Sequence, residues 1–271
     1  MKRHKDFNSE YVDSRHVDVW LPPNYESDKE KRYPVLYMHD GQNLFDESSS
    51  YIGVAWDVDE TMTKLIEQDK IREAIVVGIW NTSKRFREYM PEEPVDMLNN
   101  EQRELMQDDY GTVLSDNYLK FMVNELKPFI DNEYRILADA PNTFIMGSSM
   151  GGLISWYALA KYPGVFSGAG CLSTHWPAGN EETDGQLPET VIQYFQESIP
   201  RPGSHKIYFD YGTETLDAKY EPYQKRIDSI MQEIGYQNGE DWITKKFEGH
   251  EHSERSWAAR LNYPLEFLLG K

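Results

Sequence analysis

Within Thr143–Lys161 (TFIMGSSMGGLISWYALAK), residues Gly147-Ser148-Ser149-Met150-Gly151 read GxSxG. An apolar run leads into it and a helical pattern follows at once, the strand, turn and helix setting of a nucleophile elbow. Reversing from strand to helix in so few residues crowds the backbone. A Cβ at position 147 or 151 is therefore expected to clash, and Ser149 is forced to the tip of the turn with its hydroxyl above the sheet. The start of the following helix favours the negative charge of a tetrahedral intermediate. Ser148 sits off the elbow centre and is expected to support the turn. The chemistry implied is nucleophilic acyl transfer.

A serine hydroxyl is a weak nucleophile at neutral pH, so a histidine must take its proton and an acid must orient that histidine. In α/β-hydrolases the chain order is serine, acid, histidine. Of the seven histidines, His175, His205, His250 and His252 follow Ser149. His252 lies in GHEHSER, between a strand pattern and the last helical pattern, where the base belongs; His250 is the alternative. His205 precedes a strand, at the wrong end of the sheet. His175 follows a strand at the right end and is expected to line the pocket. The acid should lie in the loop after the strand Lys206–Tyr211. Asp217 is preferred there, with Glu214 and Asp210 left open.

The second requirement is an oxyanion hole, expected from the backbone N–H of Met150 and from that of Gln42 in the turn after PVLYM. Arg85, Glu88, Thr174, His175 and Trp176 are placed around the pocket, Trp176 as a surface for a sugar or phenolic ring. The pair His250 and His252, taken with Glu254, also suggests a zinc half-site, but no third ligand of matching spacing is evident. No metal and no cofactor are expected.

These residues need a scaffold that alternates short β-branched runs with longer helical patterns, which reads as α/β: a mainly parallel sheet with helices on both faces. Strands are predicted at Val17–Leu21, Pro34–Met38, Ala74–Ile79, Thr143–Met146, Gly168–Leu172, Lys206–Tyr211 and Trp242–Phe247. Helices are predicted at Trp56–Glu67, Asp116–Ile130, Gly151–Lys161, Pro222–Ile234 and Glu254–Leu269. Residues 81–111 lack clear periodicity and read as a lid-like insertion; 173–203 reads as a loop that helps shape the pocket. Neither a repeat nor a low-complexity linker divides the chain, so 1–271 is expected to be one domain.

The 271 residues carry 28 basic and 46 acidic side chains, a net charge of −18. Nucleic acid and anionic membranes, which are bound through Lys and Arg, are thereby disfavoured as partners. The single cysteine, Cys171, excludes an intramolecular disulfide and a CxxC motif. Met1–Glu10 has no apolar signal segment, and no run approaches the roughly 18 residues of a membrane span, so a cytoplasmic location is expected.

Several segments resemble an esterase family of α/β-hydrolases: VDVWLPPNY, RYPVLYMHDGQNLFD, IVVGIWN with a following RxxEY, FIMGSSMGGL and GHEHSERSWAARL. That family includes S-formylglutathione hydrolase (esterase D), enterochelin-type esterases, mycolyltransferases and the feruloyl and acetyl xylan esterases. The resemblance runs from about Val17 to Leu269, and the His252 to Trp257 spacing fits its closing motif where His250 does not. It implies the α/β-hydrolase fold and a serine carboxylic ester hydrolase acting through an acyl-enzyme on small or carbohydrate-linked esters. A thioesterase or acyltransferase would use the same triad, and a non-catalytic scaffold is the remaining reading. Oligomeric state is not indicated.

Overall fold

The computed structural model describes residues 1–179 and 185–271. Eight strands form one sheet: β1 Lys2–Phe7, β2 Arg15–Trp20, β3 Val35–His39, β4 Ile75–Ile79, β5 Thr143–Ser148, β6 Gly168–Leu172, β7 Lys206–Gly212 and β8 Trp242–Phe247. Their order is β1-β2-β4-β3-β5-β6-β7-β8. The β1–β2 and β2–β4 pairs are antiparallel, and β4 through β8 run parallel. The helices are α1 Val58–Glu67, α2 Arg85–Tyr89, α3 Glu92–Asp96, α4 Asn100–Tyr110, α5 Ser115–Phe121, α6 Lys127–Glu133, α7 Met150–Lys161, α8 Leu187–Ser198, α9 Glu221–Glu233, α10 Glu254–Arg260 and α11 Asn262–Leu269.

The central strands are buried on both faces, as parallel strands under helices must be. Tyr37, Val77, Ile145, Ala169 and Phe209 face one core with α5, α7, α8 and α9. Their neighbours Leu36, Met38, Val76, Phe144 and Tyr208 face a second core with α1, α10 and α11. The two-residue alternation of side chains divides each strand between the two layers. Gln42, Ser149, Asp217 and His252 then fall beyond the carboxyl ends of β3, β5, β7 and β8.

The structure departs from the sequence expectations at five places. β1 (KRHKDF) was not foreseen, because an exposed edge strand pairs through its backbone and needs no apolar face. Residues 81–111, expected as a lid-like insertion without periodicity, hold α2, α3 and α4; two are five-residue helices, too short to show a period, and α4 buries only Met106. In 173–203, α8 packs against α7 and α3, while 180–184 lie outside the described residues. The expected helix 254–269 breaks at Leu261, where Pro264 in the first turn of α11 cannot donate to the preceding turn. Likewise α5 and α6 are joined by a π-helical stretch, Met122–Leu126, just ahead of Pro128.

Candidate active site

The turn from β5 into α7 places Ser149 at φ 59°, ψ −123°, immediately before the first residue of the helix. A non-glycine residue at such a conformation stores strain that the surrounding bonds must hold. Here the Ser149 amide donates to the Leu172 carbonyl (2.9 Å) and its own carbonyl accepts from the His175 amide (3.2 Å). The crowding expected at both glycines falls on one. A Cβ at Gly147 would lie 2.8 Å from the Gly151 backbone, whereas one at Gly151 would meet nothing closer than 3.4 Å.

His252 enters the same cavity as Ser149, a cleft of about 500 Å³ whose wall also includes Gln42, Arg85 and Trp257. Its Nδ1 lies 2.6 Å from Asp217 Oδ1. Asp217, wholly buried on the short 3₁₀ turn Thr215–Lys219, also accepts from Gly212 N and Ser173 Oγ, both at 2.6 Å. Burial pushes its carboxyl up, but the hydrogen bond and charge of His252 together with the bonds from Ser173 and Gly212 outweigh that and hold it below the ordinary range. The loop carrying His252 is pinned by its amide donating to Thr215 Oγ1 (2.8 Å), and the Trp257 ring meets the imidazole edge-on with centroids 5.0 Å apart.

The other acid and base candidates are occupied elsewhere. Asp210 is buried in β7 and paired with Arg260 (2.9 Å); burial raises its carboxyl above the ordinary range. Glu214 is exposed. The His250 carbonyl accepts from the Thr213 and Glu214 amides (3.0 Å each), and its ring packs on Phe247. His205 is half-buried, at the amino end of β7, and bonds the Pro163 carbonyl. No group of three or more His, Cys, Asp or Glu side chains among the described residues could hold a metal ion.

β3 ends at His39, and Asp40 takes the left-handed conformation (φ 56°) to start the 3₁₀ turn Gly41–Asn43. Gly41 is required by contact, because a Cβ there would lie 2.5 Å from the Gly78 carbonyl carbon. The first N–H groups of a helical turn have no partner within it; Gln42 on this turn and Met150 at the start of α7 are in that position. Gln42 is anchored by Asn81, whose amide donates to Gln42 Oε1 (3.2 Å). Beneath it, His39 is fully buried, bonded through Nδ1 to Tyr118 OH (2.9 Å), and burial lowers its pKa to about 3.

Of the residues expected around the pocket, Arg85 lines it, but as the partner of a residue the sequence had not singled out. Arg85 grips Asp40 through Nε and Nη2, both at 2.7 Å, and Asn81 donates to the same carboxylate (2.6 Å). Burial pushes the Asp40 carboxyl up, and the charge and hydrogen bonds of Arg85 together with the hydrogen bond from Asn81 more than reverse it. The other expectations are corrected. Glu88 is fully buried in a two-bond ion pair with Arg15 (2.7 and 2.9 Å), away from solvent. Thr174 is buried and donates to the Cys171 carbonyl. Trp176 is buried against Trp156, Phe195 and Phe209 with its Nε1 donating to Gln224 (3.0 Å), so no ring of a substrate reaches it. His175 bonds the Tyr220 hydroxyl (2.7 Å) and the Gly179 carbonyl (3.1 Å) and does not line the cleft. Tyr51 and Ile52, exposed at the mouth, and Glu254, in its wall, were not foreseen. Only proximity in the fold brings Tyr51 and Ile52 to the serine, whereas Glu254 follows His252 by two residues.

A parallel sheet with an antiparallel edge, helices on both faces and a serine on the β5–α7 turn define an α/β-hydrolase. The chain belongs to the esterase family: the family model described as "Putative esterase" matches residues 9–268. It is 25% identical over 266 residues to "Uncharacterized protein YbbA" of Bacillus subtilis, covering 95% of this chain and 94% of that one. Among solved structures, the enterobactin esterase FES from Shigella flexneri is similar at a TM-score of 0.71 and 17% identity, over 98% of this chain and 58% of that one. A CE1 ferulic acid esterase from Anaeromyces mucronatus, solved in complex with ferulic acid, is similar at 0.67 and 18%, over 98% and 89%. No helix among the described residues is long and apolar enough to cross a membrane.

Proposed function

We propose that this chain is a serine carboxylic ester hydrolase in which Ser149 is the nucleophile, His252 the general base and acid, and Asp217 the acid that orients His252. The observation that carries the reading is the 2.6 Å contact from His252 Nδ1 to buried Asp217, with the imidazole opening into the cleft that Ser149 lines. The carboxylate fixes the tautomer in which Nε2 accepts the serine proton and stabilises the imidazolium that follows. Ser149 attacks the ester carbonyl, and the oxyanion forms against the Met150 and Gln42 amides. The imidazolium protonates the departing alcohol, leaving an acyl-enzyme. Water, deprotonated by His252, then releases the acid and restores Ser149. Small or carbohydrate-linked acyl esters are the substrates; the exposed Tyr51 ring at the cleft mouth supports an aromatic group on one side of the ester.

A fluorophosphonate probe tests this. Covalent labelling that disappears in Ser149→Ala is expected, together with loss of p-nitrophenyl acetate turnover. Labelling that persists in Ser149→Ala would overturn the nucleophile. A panel of feruloyl sugars, acetylated xylan, nitrophenyl esters and S-formylglutathione then ranks acyl and alcohol groups.

A further inference from the structure

Behind Asp217 lies a buried polar cluster that the acyl transfer steps do not call for. Asp217 Oδ2 is taken up by Ser173 and Gly212, which leaves Oδ1 for His252. Ser173 Oγ in turn accepts from Trp257 Nε1 (2.9 Å) and from Arg260 Nη2 (2.6 Å). That same nitrogen lies 2.9 Å from Asp210 Oδ1 and 3.6 Å from Asp217 Oδ2. Ser173 holds a left-handed backbone (φ 41°), and its amide donates to Asp210 Oδ1 (3.1 Å). Arg260 is fully buried, yet its Nε and Nη1 have no hydrogen-bond partner among the described residues.

A buried guanidinium with two nitrogens unbonded is costly, and an apolar side chain would fill the space without that cost. What it adds is charge beside two carboxyls. We propose that Ser173 and Arg260, with Asp210 as counter-charge, are positioning residues that fix Asp217 in the orientation and charge state His252 needs. The inference rests on the assignment of Asp217 as the triad acid. The titratable groups packed around Asp217 are His252, Tyr220, Asp210, Tyr208 and Arg260. Without the guanidinium a positive charge is lost beside the Asp217–His252 pair, protonation of the pair becomes easier, and the acid limb of kcat/KM, which reports that protonation, moves up.

The test is the pH profile of p-nitrophenyl ester hydrolysis, with folding checked by circular dichroism. Ser173→Ala is expected to lower kcat about tenfold with KM within about twofold, as loss of an interaction felt in the transition state does. Arg260→Met lowers kcat and moves the acid limb up by about one pH unit, while Arg260→Lys, which keeps the charge, leaves the limb in place. The double variant Asp210→Asn/Arg260→Met leaves no orphaned charge and is favoured to fold; it loses kcat about as Ser173→Ala does. Wild-type kcat and limb in Ser173→Ala and in the folded Arg260 variants overturn the proposal, as does a rise in KM alone. Equal limb shifts in Arg260→Met and Arg260→Lys overturn the electrostatic part. Asp217→Asn in the same assay keeps the two readings apart: wild-type turnover there overturns the triad assignment itself.

Discussion

Asp210 and Asp217 belong to one strand and turn, both buried, yet Asp217 touches His252 and Asp210 touches Arg260. Their variants should therefore separate. Asp217→Asn is expected to lower kcat by about 10²–10⁴-fold, because the amide favours the wrong imidazole tautomer; Glu214→Gln, at an exposed site, should stay within about twofold. Steady-state kinetics of the two, beside His252→Ala and His250→Ala, decide the assignment, and a larger loss at Glu214 or His250 sinks it. The candidate serine and histidine stand out in the sequence because each sits in a dense local motif. The candidate acid stands out less: Asp217 is preferred, but three carboxyls fit its spacing, and the choice depends on which oxygen the turn Thr215–Lys219 aims at His252. His39 shows the same limit: nothing in YMHDG says that its ring is buried. Its pKa of about 3 lies below the 6.5 of an exposed histidine, so on acidification the unfolded chain takes up the proton first. Stability is full above pH 6.5 and is lost as pH falls from there toward 3, by up to about 1.4 kcal/mol per unit. Urea unfolding at pH 7.5 and 4.5 should show His39→Asn losing roughly 2 to 3 kcal/mol less than wild type; an equal loss in both would exclude His39 as the source.

At the scale of elements, the elbow depends unequally on its two glycines. Gly147→Ala forces a Cβ to within 2.8 Å of the Gly151 backbone, while Gly151→Ala makes only ordinary contacts at the start of α7. Overpacking of this kind costs about 1–3 kcal/mol, so Gly147→Ala should unfold at lower urea and lose activity as Ser149 shifts. Gly151→Ala should stay within about 1 kcal/mol of wild type. Comparable losses in the two would mean that the motif spacing, not the close approach, sets the requirement. The seven buried or half-buried strands were legible from apolar runs, and α1, α7 and α9 from their period, while the other two predicted helices are each split next to a proline. What escaped lacks an apolar pattern of its own or is held by residues elsewhere in the chain. β1 pairs with β2 along a charged edge, and α2 is held through Glu88 by Arg15, seventy-three residues earlier. The buried fate of Trp176 also depends on such a partner, since α8 supplies Phe195 against its ring, and the helical spacing of Leu187, Val191, Ile192 and Phe195 does not fit the loop expected over 173–203.

For the whole molecule, a net charge of −18 surrounds a cleft that does not offset it. Arg85, the guanidinium in its wall, is taken by Asp40, while Glu254 forms no ion pair among the described residues. Burial raises the Glu254 carboxyl, with repulsion from Asp40 adding to it, which is how a carboxyl inside a negative field responds. An ester that brings its own negative charge should thus be disfavoured on approach and at the site, and a neutral one should not. Two nitrophenyl esters separate these terms, p-nitrophenyl acetate and the anionic mono-p-nitrophenyl succinate. Raising the ionic strength from about 0.02 to 0.3 M shortens the Debye length from roughly 20 Å to below 10 Å. It should raise kcat/KM for the succinate several-fold while the acetate changes by less than about twofold. The part of the discrimination that remains at high salt belongs to the cleft itself, and Glu254→Gln should reduce it. A succinate ester hydrolysed as well as the acetate at low salt would mean that the surface field does not reach the serine, and that Arg85 is free of Asp40 when substrate is bound.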